Sequence, residues 1–159
     1  MSVVADIGLG WRRPGALIRA KLGQGVREDR ALAVLMAACT LMFVAQWPRL
    51  SREAFLEPSV PLEARMGATL LSLVFVLPLI LYALAGVSLL ASRAVGLRPT
   101  AFGARLALFW ALLCLTPALL LHGLIAGFMG PQLATGVGLL VLAGFGYLWV
   151  SMLREAGHV

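Results

Sequence analysis

No aspartate or glutamate falls within the long apolar stretches of this chain, Ala31–Trp47, Met66–Ser92, Leu106–Met129 and Leu133–Leu153. That absence excludes a proton relay or a cation site built on carboxylates at the depth where membrane proteins place them. Histidine is scarce: His122 lies in the third stretch and His158 in the tail. Cysteine is limited to Cys39 and Cys114, both inside apolar stretches. Two thiols with no histidine near them in sequence make a poor metal site, and nothing in the pattern points to a disulfide. Both read as buried free thiols acting as small hydrophobes. The chain has no HExxH, no CxxC and no glycine-rich phosphate loop between strand and helix. No catalytic constellation emerges, and no cofactor is expected. The longest polar segments, residues 1–30 and 48–65, are too short to build a soluble core.

The apolar stretches are 17, 27, 24 and 21 residues long. A helix rises about 1.5 Å per residue and hydrocarbon is about 30 Å thick, so each can cross a bilayer, the first only just. The chain is 61% hydrophobic and 13% charged, and its apolar runs lack the alternation of a barrel wall. The expected fold is an all-α membrane protein. An N-terminal segment, residues 1–30, precedes a bundle of four transmembrane helices within residues 31–159, with spans at about 31–47, 66–92, 106–129 and 133–153.

The formal net charge of +6 does not point to nucleic acid, because the cations form no single groove. They sit beside the span ends and read as topology determinants held against anionic headgroups, with a lipid-headgroup site as the alternative. Arg12, Arg13, Arg19, Lys21, Arg27, Arg30, Arg93, Arg98, Arg105 and Arg154 fall on one side of a four-span topology. The other side receives Arg49, Arg52 and Arg65, offset by Glu53, Glu57 and Glu63. The positive-inside rule then puts both termini in the cytoplasm, in an inner membrane if the source is bacterial.

Within residues 1–30, Pro14-Gly15 reads as a break. After it, Leu17, Ile18, Leu22 and Val26 recur near helical spacing among Arg19, Lys21 and Arg27. This suggests a short amphipathic helix in the interface, anchored by Trp11, Arg12, Arg13, Arg19 and Lys21; a frayed tail is the alternative. Met36-Ala37-Ala38-Cys39 comes near a lipoprotein cleavage box. However, the segment before it is long for a signal peptide and the chain stays apolar after Cys39, so Ala31–Trp47 reads as a retained span. Trp47-Pro48 is expected to close that span at the far interface.

Pro78 and Pro117 each remove one backbone hydrogen bond, freeing the carbonyls of Val74 and Leu113. They either kink helices around a cavity, as in transporters, or are compensated by neighbours. The short connection Gly130-Pro131-Gln132 makes the last two spans antiparallel neighbours. Gly123 and Gly127 form a GxxxG, and Ala134 and Gly138 a small-xxx-small counterpart, expected to face each other across that turn. His122 is the only ionisable side chain well inside a span and the one weak candidate for cofactor binding. Ala118 and Ala126 flank it at helical spacing and leave room for a flat macrocycle. The plainer reading is a neutral imidazole bonded to backbone or water.

The run Trp11–Gly23, opening Trp-Arg-Arg-Pro, leads into Val26-Arg27-Glu28-Asp29-Arg30 at the head of the first span. With Gly103–Leu112, Gly127–Pro131 and Leu148–Ala156, it resembles the small Yip1-family membrane proteins of proteobacteria. The resemblance implies a helical membrane protein whose eukaryotic relatives serve membrane traffic, associating with small GTPases and with each other. That family commonly has five spans where four are counted here, and none of its functional motifs transfers residue by residue.

Composition and resemblance together suggest a non-enzymatic scaffold, accessory or assembly subunit, packed against other membrane proteins or itself within the lipid bilayer. A small transport element around Pro78 and Pro117, or a pigment or haem carrier through His122, are the alternatives. The charge asymmetry makes a direct prediction. A fluorescent reporter fused to the C-terminus is expected to mature, and an export-dependent phosphatase fused there to stay inactive; the reverse pattern would overturn the orientation.

Overall fold

A computed structural model describes residues 2–158 of the chain. Two short helices come first, α1 (Val3–Arg12) and α2 (Pro14–Leu22). Ser2 caps α1 by accepting from the Ala5 N–H, and Pro14 occupies the first turn of α2, where its missing N–H is not needed. Four rods follow: α3 (Glu28–Leu56), a continuous 33-residue rod, α6 (Ala101–Phe128) and α7 (Pro131–Ala156). The second rod comprises α4 (Leu62–Leu70), a π-helical stretch (Leu71–Val76) and α5 (Leu77–Ala94). Each is long and apolar enough to cross a bilayer, and the chain is an integral membrane protein with an all-α bundle fold.

The rods alternate in direction. The start of α3, the ends of α5 and α7 and the start of α6 share one rim, here called the terminal rim. The ion pair of Arg105 with Glu28 and the contact of Leu97 with Gly157 mark it. The opposite, loop rim holds the Arg52 guanidinium, which donates to the Gly127 carbonyl at 3.2 Å.

The hub is α6. Of its most apolar stretch 56% is buried, against 11–28% in the other three rods. From Phe102 to Thr116 nearly every residue is buried, as a rod surrounded by α1, α3, α5 and α7 requires. Tyr82 of α5 packs edge-on to Phe109 of α6, with ring centroids 5.1 Å apart.

The helices overrun the boundaries that hydropathy suggests. Pro48 does not end α3, which continues eight residues further to Leu56. Its ring and backbone pack on Gly127, and residues 49–56 carry helix formers and an Arg49–Glu53 pair one turn apart, 2.9 Å long. A proline within a helix removes one hydrogen bond, and the remaining turns propagate where side chains support them. Pro78 is accommodated differently. The turns before it widen to π geometry, with the Leu77 N–H reaching back to the Ser72 carbonyl. At Pro117 the freed Leu113 carbonyl accepts the Thr116 hydroxyl at 2.7 Å.

The small residues pack, but not with the partners their sequence positions suggest. Gly123 and Gly127 face α3, not α7: a Cβ at Gly123 would collide with the Ala45 carbonyl, and one at Gly127 would lie 2.5 Å from Pro48 Cβ. Ala134 and Gly138 on α7 instead receive the His122 ring. A tight turn places two helices side by side, and the rotation of each about its own axis decides which stripe meets which. Gly130 makes that turn, with φ at 92°, a value that side chains other than glycine rarely adopt.

Replacing Gly123 or Gly127 with alanine should therefore lower stability by about 1–3 kcal/mol through overpacking. Gly136→Ala, whose added methyl meets nothing within 4 Å, should leave it unchanged or raise it by up to about 1 kcal/mol, alanine being the better helix former. Thermal unfolding of the three variants in detergent checks the contrast.

Candidate functional site

The N-terminal helices are seated against the rods by one face only, and Val3, Val4 and Trp11 of α1 stay exposed. Leu17 and Ile18 are fully buried, and the contacts of α2 run along α7 and α6. The Trp11 indole N–H donates to the Cys114 carbonyl at 2.6 Å. Cys114 stands thirteen residues into α6, about 20 Å along the rod at 1.5 Å per residue. Trp11 therefore fastens α1 along the side of α6 at that depth, with the residue still 43% exposed. Gly10 permits the approach, since a Cβ there would run into Cys114 Sγ. The far edge of the Trp11 ring reaches to 3.6 Å from where a Cβ of Gly144 would stand. Gly10 thus lets α1 approach α6, and Gly144 leaves room for the edge of the indole.

Of the other expected anchors, Arg12 and Arg13 are exposed at the turn between α1 and α2. Arg19 pairs with Glu155 at 3.1 Å, tying α2 to the end of α7. Trp47 is exposed beside Phe43 on α3, its ring edge-on to that neighbour at 5.9 Å.

Lys21 is not a surface cation. Its ammonium donates to Asp6 Oδ2 at 2.6 Å and sits 4.6 Å from the centre of the Trp110 ring. Asp6 is 3% exposed. The pair closes a loop between α1 and α2 over the aromatic face of α6, where the carboxylate, the ammonium and the π system satisfy one another away from water. Sequence reasoning missed Asp6. The available signal was its isolation: it is the sole acid before Glu28, and Lys21 is the sole lysine of the chain.

Beside this pair opens a cavity of about 560 Å³ between the N-terminal helices, α3 and α6. Its polar margin comprises Asp6, Lys21, Gln24, Arg27 and Arg30. Its apolar wall is formed by Val34 and Ala37 of α3 and by Leu106, Trp110 and Leu113 of α6. Ala33 and Ala37 are exposed along the flank of α3, and Arg27 and Arg30 are exposed at the rim. The cavity is therefore open both at the terminal rim and sideways along the rods. Volume and lining are in the range that holds one small amphiphilic molecule.

A second cavity, about 610 Å³, lies toward the loop rim. Arg49, Arg52, Glu53 and His122 are among its lining residues. His122 Nε2 is 3.0 Å from the Ala134 carbonyl, to which it donates. That nitrogen is aimed at α7, not at the open helix face between Ala118 and Ala126 where a macrocycle would sit. Neither Pro78 nor Pro117 lines these two cavities or the two smaller ones, which lie beside Arg93 and beside Ser72. Among the described residues no cluster of three or more histidine, cysteine or acidic side chains forms a metal site.

Set beside known proteins, the chain matches no family model, no curated protein and no solved structure.

The buried pair can be tested directly. Lys21→Met leaves the Asp6 carboxylate buried without its partner and should destabilise the protein by about 3 kcal/mol. The double variant Asp6→Leu/Lys21→Met removes both charges and should recover most of that loss. Thermal unfolding in detergent reads both; a double variant as weak as the single one would show that the charges are not coupled.

Proposed function

We propose that this protein is a non-enzymatic accessory or assembly subunit of a bacterial inner membrane, Yip1-like, with both termini in the cytoplasm. It packs against other integral membrane proteins or a second copy of itself. The observation that carries the reading is on α7. Gly136 and Ala143 stand seven residues apart on that rod and are both exposed. A Cβ at Gly136 meets nothing within 4 Å. Small residues at helix-pair spacing let a second backbone approach closely, and in lipid that approach, not hydrophobic burial, drives association. The GxxxG of α6 is already consumed against α3 inside the molecule. The surface of α7 is the stripe left for a partner. The orientation is supported by the arginine-rich terminal rim, where Arg19, Arg27, Arg30 and Arg105 gather.

Crosslinking in native membranes, followed by copurification in mild detergent, tests the proposal. The expected result is a stable assembly larger than the 16.9 kDa chain, reduced toward monomer by Gly136→Leu/Ala143→Leu. Persistent monomer for the unaltered protein would overturn it.

A further inference from the structure

The cavity beside Asp6 and Lys21 has a charge distribution that the assembly reading does not use. Asp6 and Lys21 neutralise each other at 2.6 Å, so neither charge is left over at the cavity margin. Arg27 and Arg30 remain. Among the described residues neither has a carboxylate partner; Arg30 donates only to the neutral Gln24 amide, at 3.1 Å. Two acids lie between them in sequence: Glu28 is turned to Arg105, and Asp29 is exposed and does not line the cavity. The two arginines stand at the start of α3, whose first N–H groups have no side-chain cap. Below them the wall becomes apolar within one or two turns, at Val34 and Ala37 on α3 and Leu106 and Leu113 on α6, and opens sideways.

A cationic mouth at a membrane rim, continuous with an apolar trough that opens along the rods, is complementary to an anionic headgroup with a hydrocarbon chain attached. We infer that this cavity holds one anionic phospholipid, its phosphate between Arg27 and Arg30 and one acyl chain along the trough against Ala37 and Leu106. Arginine suits the task because its planar fork grips two phosphate oxygens at once. A free phosphate would use the mouth alone and leave the trough empty. A neutral amphiphile would leave both guanidiniums without a counter-charge. The lipid also bridges α3 to the N-terminal helices, which otherwise meet mainly through α6.

The test uses the full chain in detergent micelles and native mass spectrometry, with phosphatidylglycerol, phosphatidylcholine of the same acyl chains, and inorganic phosphate as probes. One phosphatidylglycerol is expected to be retained per chain, about tenfold more tightly than phosphatidylcholine. Arg27→Gln/Arg30→Gln, changing exposed side chains, should abolish that preference while thermal unfolding stays near that of the unaltered protein. Ala37→Phe, which fills the trough without touching the charges, should weaken retention of both lipids. Inorganic phosphate at millimolar concentration should not displace the lipid. Equal retention of the two lipids, or an unchanged preference in the double arginine variant, would overturn the inference, and so would displacement by phosphate, which would mark a simple anion site. These outcomes are read on the isolated chain, so they stand apart from whether it assembles through α7.

Discussion

Hydrocarbon offers no hydrogen-bond partner, and among the described residues most buried polar side chains find theirs within the chain, the Arg105 Nε and Trp149 Nε1 groups excepted. Ser88 and Ser92 turn back to the carbonyls of Ala85 and Ser88 on their own helix. Thr116 does the same beside Pro117, His122 reaches the backbone of α7, and the Trp11 indole bonds to a carbonyl of α6. Asp6 and Lys21 are the demanding case, because two charges leave water together and only mutual contact makes their burial tolerable. Each of the last three bonds joins two elements. The need to match buried polar groups therefore also helps fix the N-terminal helices to the bundle and α7 to α6.

Packing follows from that frame. The deep burial of α6 leaves α5 and α7 with large apolar surfaces, including Leu79, Leu90, Leu140 and Tyr147. In water such exposure would be a liability, but in lipid it is the ordinary boundary of a membrane protein. The informative surfaces are the ones that break the apolar pattern: a glycine-containing stripe on α7 and a charged mouth at the start of α3. The two lie on different elements and suit different partners, one a helix and the other a lipid.

The four spans were legible in the sequence because hydropathy reports the solvent directly, and no local detail competes with that signal. Boundaries were less legible. Pro48 looks like a stop, yet its ring fits over Gly127 and the helix runs on, a fact that depends on a residue far away in the chain. Gly123 and Gly127 were recognisable as packing residues, but their partner was not, because spacing along a helix says nothing of how two rods are rotated against each other. The candidate site was mostly hidden. Arg27 and Arg30 are read naturally as topology determinants, and Lys21 belongs to the same run. Only the fold brings Lys21 against Asp6 and Trp110 and so leaves the two arginines unmatched.

The docking of the N-terminal helices imposes an order on biogenesis. Trp11 bonds to a carbonyl 103 positions later in the chain, and Arg19 meets Glu155 near the end of α7. The ribosome therefore makes this segment before α6 and α7, and its seat does not exist until those rods have been inserted. Until then the two short helices stay undocked, and their closure onto α6 and α7 is a late step of maturation.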